Sequence, residues 1–206
     1  MSANEYEIAF VIPDLADPFD HRIARIEESM DVVVAGHGGL TVATVVAAGA
    51  DAVAAGRRAV AVLSSCGLPA ERTYPDLVSR QDIADRLDVS RQAVGNWVRG
   101  ERHAGHAFPA PINSVAGGVW LWGDIVDWLR ASGRDHDDLE LEFPTLEDHA
   151  WLDGLLMEAR KSRSSGTGAL HNVGIVSARV SFSSAREHHR HAAVGGAFRT
   201  VWAAPA

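Results

Sequence analysis

Residues Leu77–Leu129 read LVSRQDIADRLDVSRQAVGNWVRGERHAGHAFPAPINSVAGGVWLWGDIVDWL and divide into a bihelical unit, a hairpin and a closing helix. Ser79 stands where an N-cap belongs, and Ile83, Ala84 and Leu87 follow at helical spacing. Asp88-Val89-Ser90 breaks that pattern. Ser90 can cap a second helix, in which Val94, Trp97 and Val98 form one apolar stripe and which Gly100 stops. Two short helices joined by so few residues have the dimensions of a helix-turn-helix.

Ile83, Leu87, Val89, Val94 and Trp97 fall where such a unit needs apolar contacts, and Ala84 is the small residue that lets the helices cross closely. Asp88 replaces the usual glycine of the turn, and Asp tolerates a left-handed backbone better than most residues. The outer face of the second helix is then Arg91, Gln92, Gly95, Asn96 and Arg99. Arg, Gln and Asn are the side chains that bond guanine or adenine edges in a bidentate way, so Arg91, Gln92 and Asn96 are candidate base readers. Ser79, Ser90, Arg99 and Arg102 are candidate phosphate contacts, the serines because helix N-termini favour anions. The competing reading is a helical hairpin with a solvated polar face.

Beyond the second helix, Phe108-Pro109-Ala110-Pro111 enforces extended backbone. Ile112 to Val115, a turn at Gly117-Gly118, and Val119 to Trp122 read as a β-hairpin, with Asp124 opening a last helix that turns Ile125, Trp128 and Leu129 inward. The segments SRQDIADRLDVSRQAVGNWV, FPAPI and VWLWGDIVDWL, in that order and spacing, resemble the winged helix-turn-helix domains of the MerR and excisionase type. The resemblance spans residues 77–134 and implies binding to double-stranded DNA, with the second helix in the major groove. The hairpin around Ser114, Gly117 and Gly118 would be a wing beside the backbone. The stretch GERHAGHAFP, Gly100 to Pro109, is similar to the connection found in actinobacterial proteins that place a βαββα unit before such a domain.

The net charge of −8 looks adverse for DNA until it is located. Residues 77–134 carry seven arginines against six acids, whereas the segments before and after are both acidic. Phosphate contacts act over about a Debye length, roughly 8–10 Å, so clustering of Arg91, Arg99 and Arg102 matters more than the total. The acidic balance points to modest affinity and to binding as a homodimer. The single cysteine, Cys66, excludes an internal disulfide framework and fits a small buried hydrophobe in a reducing compartment. No apolar run reaches transmembrane length and the first residues do not resemble a signal peptide. A cytoplasmic, nucleoid-associated protein with no membrane partner is expected, with neither cofactor nor metal.

Ahead of this stretch, Tyr6 to Ile12 alternates as a strand, Asp20 to Met30 is a helix, and Asp31 to Ala35 and Leu40 to Val46 are strands joined at Gly36-His37-Gly38-Gly39. Ala47 to Leu63 is an Ala/Val-rich helix. The order βαββα predicts a small ferredoxin-like half-fold over residues 1–70, a three-stranded sheet with helices on one face. After Gly133 an acidic linker leads to an amphipathic helix, Thr145 to Arg160, with Leu146, Trp151, Leu152, Leu155 and Leu156 available for packing. The predicted architecture is thus α+β: the half-fold, the winged domain, the linker and helix over 135–161, and a poorly ordered tail over 162–206. The histidines of that tail, His171, His188, His189 and His191, lack acidic or thiol partners at ligand spacing.

A sequence-specific DNA-binding transcriptional regulator, and not an enzyme, is the leading expectation, with an excisionase-like architectural factor as its variant. A different class would house chemistry at Asp14, Asp17, Asp20 and His21 of the N-terminal unit, although an acidic loop after a first strand is far more often a solvated turn. A third reading makes that unit an interaction module, pairing through an exposed sheet edge or helix face.

Overall fold

The chain folds as a mixed α+β structure; the computed structural model describes residues 4–17, 19–100, 106–134 and 140–165. Strand β1 (Asn4–Ile12) leads to α1 (His21–Glu27), then β2 (Asp31–His37), β3 (Leu40–Gly49) and α2 (Ala52–Ser65). The expected βαββα order is present, but the sheet is not three-stranded. A two-residue strand β4 (Arg72–Thr73) pairs antiparallel with β1, giving the order β2-β3-β1-β4. The connectivity is therefore the complete β-α-β-β-α-β arrangement and not half of it.

One sheet face turns Ile8, Phe10, Ile12, Ala43, Val45 and Ala47 toward Ile26 of α1 and Ala55, Ala59 and Leu63 of α2. The small residues of α2 let that helix lie close to the sheet, and Asp51 fixes its start by accepting from Ala54 N at 2.7 Å. Strand β3 keeps Ala47 to Gly49, which the Ala/Val composition had assigned to the helix. Gly38 and Gly39 turn the β2–β3 hairpin with φ of 56° and 79°, a conformation open to glycine at little cost.

The second cluster is built from β5 (Leu77–Ser79), α3 (Arg80–Arg86), α4 (Arg91–Val98), β6 (Val119–Leu121) and α5 (Trp122–Ala131). Val78, Ile83, Ala84, Val94, Trp97, Trp120, Ile125, Val126, Trp128 and Leu129 are buried within it. The expected hairpin is corrected in its pairing. Residues Ile112 to Val115 hold β6 through a single bridge, Asn113 to Val119, whereas the strand partner of β6 is β5. Trp122 belongs to the helix, which begins two residues earlier than Asp124.

The last helix, α6 (Leu146–Ser165), packs on α2 and β4. Leu152 and Leu156 enter the first core, while Leu146 and Trp151 remain largely exposed, against the expectation that they pack. Asp153 accepts from Thr73 N at 2.6 Å, capping the outward amide of β4. The chain thus leaves the first unit, builds the second and returns. Glu142 marks the return: it bonds β1 on both sides (Glu142 N to Glu5 O, 2.8 Å; Glu7 N to Glu142 O, 2.9 Å), and its carboxylate meets Arg130 of α5 at 3.2 Å. Helix α6 runs past the expected boundary at 161, and the rest of the expected tail, 166–206, including its four histidines, lies outside the described residues. Among the described residues no helix is long and apolar enough to cross a membrane.

Candidate nucleic-acid interface

The geometry of α3 and α4 follows from their caps. Ser79 Oγ accepts from Gln81 N and Asp82 N (3.2 and 3.3 Å), while Asp82 Oδ2 accepts from Ser79 N at 2.8 Å, closing a capping box. These bonds, the backbone one first, hold the Asp82 carboxyl below its ordinary range. Asp88 adopts φ 49°, the left-handed turn residue that the sequence required between the helices. Ser90 Oγ then accepts from Ala93 N at 3.1 Å to start α4. With Ile83 and Val94 both fully buried, the crossing of the two helices is fixed.

Arg91 and Gln92 are exposed on the first turn of α4, Asn96 is half-buried one turn later, and Arg99 is exposed at the C-cap. Gly95, expected on the outer face, is buried, which narrows the polar face to those four side chains. Asn96 and Arg99 are coupled: Arg99 Nη2 donates to Asn96 Oδ1 at 2.5 Å, which leaves the Asn96 amide N–H groups as donors. The hydroxyls of Ser79 and Ser90 accept as caps, so each offers its hydrogen to an outside acceptor. The two helix starts differ in charge. Asp82 occupies the first turn of α3, whereas the first turn of α4 carries no acid and has Arg91 in it. An anion is accordingly better received at α4. Arg102 lies outside the described residues.

The segment expected as a wing is a tight turn, Val115–Gly117, preceded by exposed Ser114. Ala116 and Gly117 have φ of 53° and 89°; Gly117 is exposed, and Gly118 is buried with φ 124°. A Cβ at Gly118 would lie 2.3 Å from Cη2 of Trp120, so the close approach itself requires glycine. Beneath the turn, Phe108 packs against Trp97, Trp120 and Trp128 with ring centroids 6.3, 5.8 and 4.9 Å away. Trp120 Nε1 donates to Pro109 O (2.9 Å) and Trp128 Nε1 to His106 O (3.1 Å), so the indoles pin the Pro-rich segment over the core.

Sequence reasoning passed over Arg80. It follows the Ser79 cap, its guanidinium lies 5.9 Å from the Trp120 ring centre, and it borders Gly117. This puts a cation between the start of α3 and the turn. Only its place next to a capping serine hinted at that role. The acidic N-terminal candidates are engaged locally. Asp14 accepts from Thr41 Oγ1 (2.8 Å), Asp17 from Phe19 N (2.9 Å), and Asp20 caps α1 while binding Arg22, which holds its carboxyl far below the usual range. His21 lies 3.7 Å from Asp20 and is otherwise exposed.

No protein-family model matches the chain, and no curated protein or solved structure matches it either.

Proposed function

We propose that the chain is a sequence-specific double-stranded DNA-binding protein, a transcriptional regulator of the winged helix-turn-helix kind found in MerR and excisionase proteins. Helix α4 carries the reading. It presents Arg91, Gln92, Asn96 and Arg99 on one polar face while Val94 and Trp97 anchor the other, and its crossing of α3 is set by Asp88 and two serine caps. Helical width suits the major groove, and these side-chain types recognise guanine and adenine there. In this reading the turn at Ser114 to Gly118 lies along the backbone beside α4, Arg91 reads a base, and Arg80 joins Arg99 as a phosphate contact. The acids Asp82, Asp85 and Asp88 of α3 and its turn offset those arginines, so affinity rests on a few well-placed contacts.

Selection of bound duplexes from a random pool with the full chain, followed by binding measurements at several salt concentrations, tests the proposal. The expected result is an enriched motif whose log affinity falls linearly with log salt, by about 0.9 per phosphate neutralised. A pool that never enriches would overturn it.

A further inference from the structure

The two edges of the first sheet are treated differently by the fold. On the β4 side the strand is two residues long, Asp153 caps Thr73 N, and α6 lies alongside. On the other side β2 is seven residues long, in unbroken register with β3 from Asp31↔Val46 to His37↔Leu40, and no described strand or bridge lies beyond it. It holds no proline, lysine, arginine or bulge, the devices that keep such edges from pairing. Val33 on this strand is 59% exposed.

The direction of the free amides follows from hydrogen bonds elsewhere in the sheet. Glu5, Glu7, Ala9 and Val11 of β1 direct their backbone groups to Glu142 and the β4 segment. Alternation therefore points the even residues of β1 at the odd residues of β3 (Ile8↔Val45, Phe10↔Ala43). The even residues of β3 then face the odd residues of β2 (Val42↔Ala35, Thr44↔Val33, Val46↔Asp31). Val32, Val34 and Gly36 are left with N–H and C=O pointing outward.

We infer that β2 is a homodimer interface, in which two copies pair their β2 strands antiparallel about a two-fold axis at Val34. In that register Val32 exchanges amide bonds with the second copy's Gly36, and Val34 with its own counterpart. On the face away from the helices, Asp31 comes opposite the second copy's His37, and exposed Val33 opposite the second copy's Ala35. An acid meets an imidazole and an apolar side chain meets an apolar one, as an isologous contact requires. A centre at Val33 or at Ala35 leaves His37 or Asp31 without a cross-strand neighbour. The occupant is thus a second copy of this chain. The inference rests on the sheet alone and stands apart from the reading of α4.

Sedimentation velocity of the full chain over a wide concentration range tests it, with circular dichroism melts to verify folding. The parent is expected to show a reversible monomer–dimer equilibrium. Val33→Lys with Ala35→Lys, both on the solvent face, should abolish the dimer, because the new lysines meet across the axis, and leave a cooperative melt that, unlike the parent's, no longer depends on protein concentration. Val33→Cys with Ala35→Cys should form a disulfide-linked dimer on mild oxidation, since non-hydrogen-bonded pairs have Cα atoms about 4.5 Å apart, within disulfide reach. The native Cys66 is buried in the core and does not compete. A parent that stays monomeric at every concentration, a dimer that survives the lysine pair, or a cysteine pair that fails to cross-link overturns the inference.

Discussion

Leu152 of α6 packs against Gly56 of α2 so closely that a Cβ on the glycine would fall 2.7 Å from both leucine methyls. A glycine inside a helix ordinarily costs about 0.5–1 kcal/mol relative to alanine. Here it opens the slot by which a helix from beyond the second unit completes the core of the first. Gly56→Ala gains helix propensity but overpacks a fully buried leucine, at about 1–3 kcal/mol, so a net loss of about 1 kcal/mol is expected. Leu152→Ala empties the slot and should cost about 2–5 kcal/mol. The two sites touch, so in chemical denaturation the double variant should be less destabilised than the single losses combined; strict additivity would refute the contact.

Trp120 is the corresponding support of the second unit. It is fully buried, donates to Pro109 O, packs on Phe108 and sits beneath Gly118. Trp120→Ala should cost about 3–5 kcal/mol. Gly118→Ala should destabilise as well, through its φ of 124° and the clash with the indole. Thermal melts within a degree or so of the parent for both variants would show that the turn does not rest on this indole.

His149 predicts the acid limit. It is buried where α6 meets the second unit, its Nδ1 has no hydrogen-bond partner among the described residues, and it lines a small cavity of about 30 Å³ with Glu7, Tyr74 and Asp76. Burial lowers its pKa below the ordinary 6.5, and the nearby Asp153 and Asp148 only partly oppose this. A depressed histidine stabilises the fold above the unfolded pKa, and that stability is lost as pH falls below about 6.5 toward the folded value. The melting temperature should therefore drop across this window in the parent, and the drop should shrink in His149→Gln. Equal slopes in the two proteins would exclude His149 as the cause.

How far the chain could be read from its residues depends on the range of the interactions involved. The α3–α4 unit was legible to the residue because its determinants are local: Ser79 and Ser90 cap within three residues, Asp88 sits in the turn, and Ile83, Val94 and Trp97 repeat at helical spacing. Strand β4 was not legible, since two residues carry no alternation and its outward amide is satisfied by Asp153, eighty positions away. The partner of β6 is not legible for the same reason. Adjacency favoured Ile112 to Val115, and the tertiary fold brings Leu77–Ser79 there instead. The amphipathic pattern of α6 showed that it packs, but only Gly56 shows where. At the candidate interface helical spacing places Arg91, Gln92, Asn96 and Arg99 on the polar face of α4, where the structure leaves them exposed or half-buried. Gly95 shares that face but is buried, and the atom nearest the space a side chain would take there is Nη1 of Arg99, a neighbour one turn on that spacing alone does not reveal.

On the proposed DNA-binding reading, the polar face of α4 should make two kinds of contact that binding measurements can distinguish. Arg91→Ala and Gln92→Ala should each lower affinity for the selected duplex by about 1–3 kcal/mol and relax preference at one base position. Asn96→Ala should do the same, because its amide donors are the groups left available after Arg99 takes its oxygen. Arg80→Ala, at the border of the turn, should weaken all duplexes alike and reduce the salt slope by about 1, the mark of a lost phosphate contact. Arg99→Ala is expected to combine both effects: it removes a cation and also frees Asn96 to reorient, so uniform weakening should come with some loss of base preference. If Arg91→Ala and Asn96→Ala both leave affinity and preference unchanged on the selected site, α4 is not the reading helix.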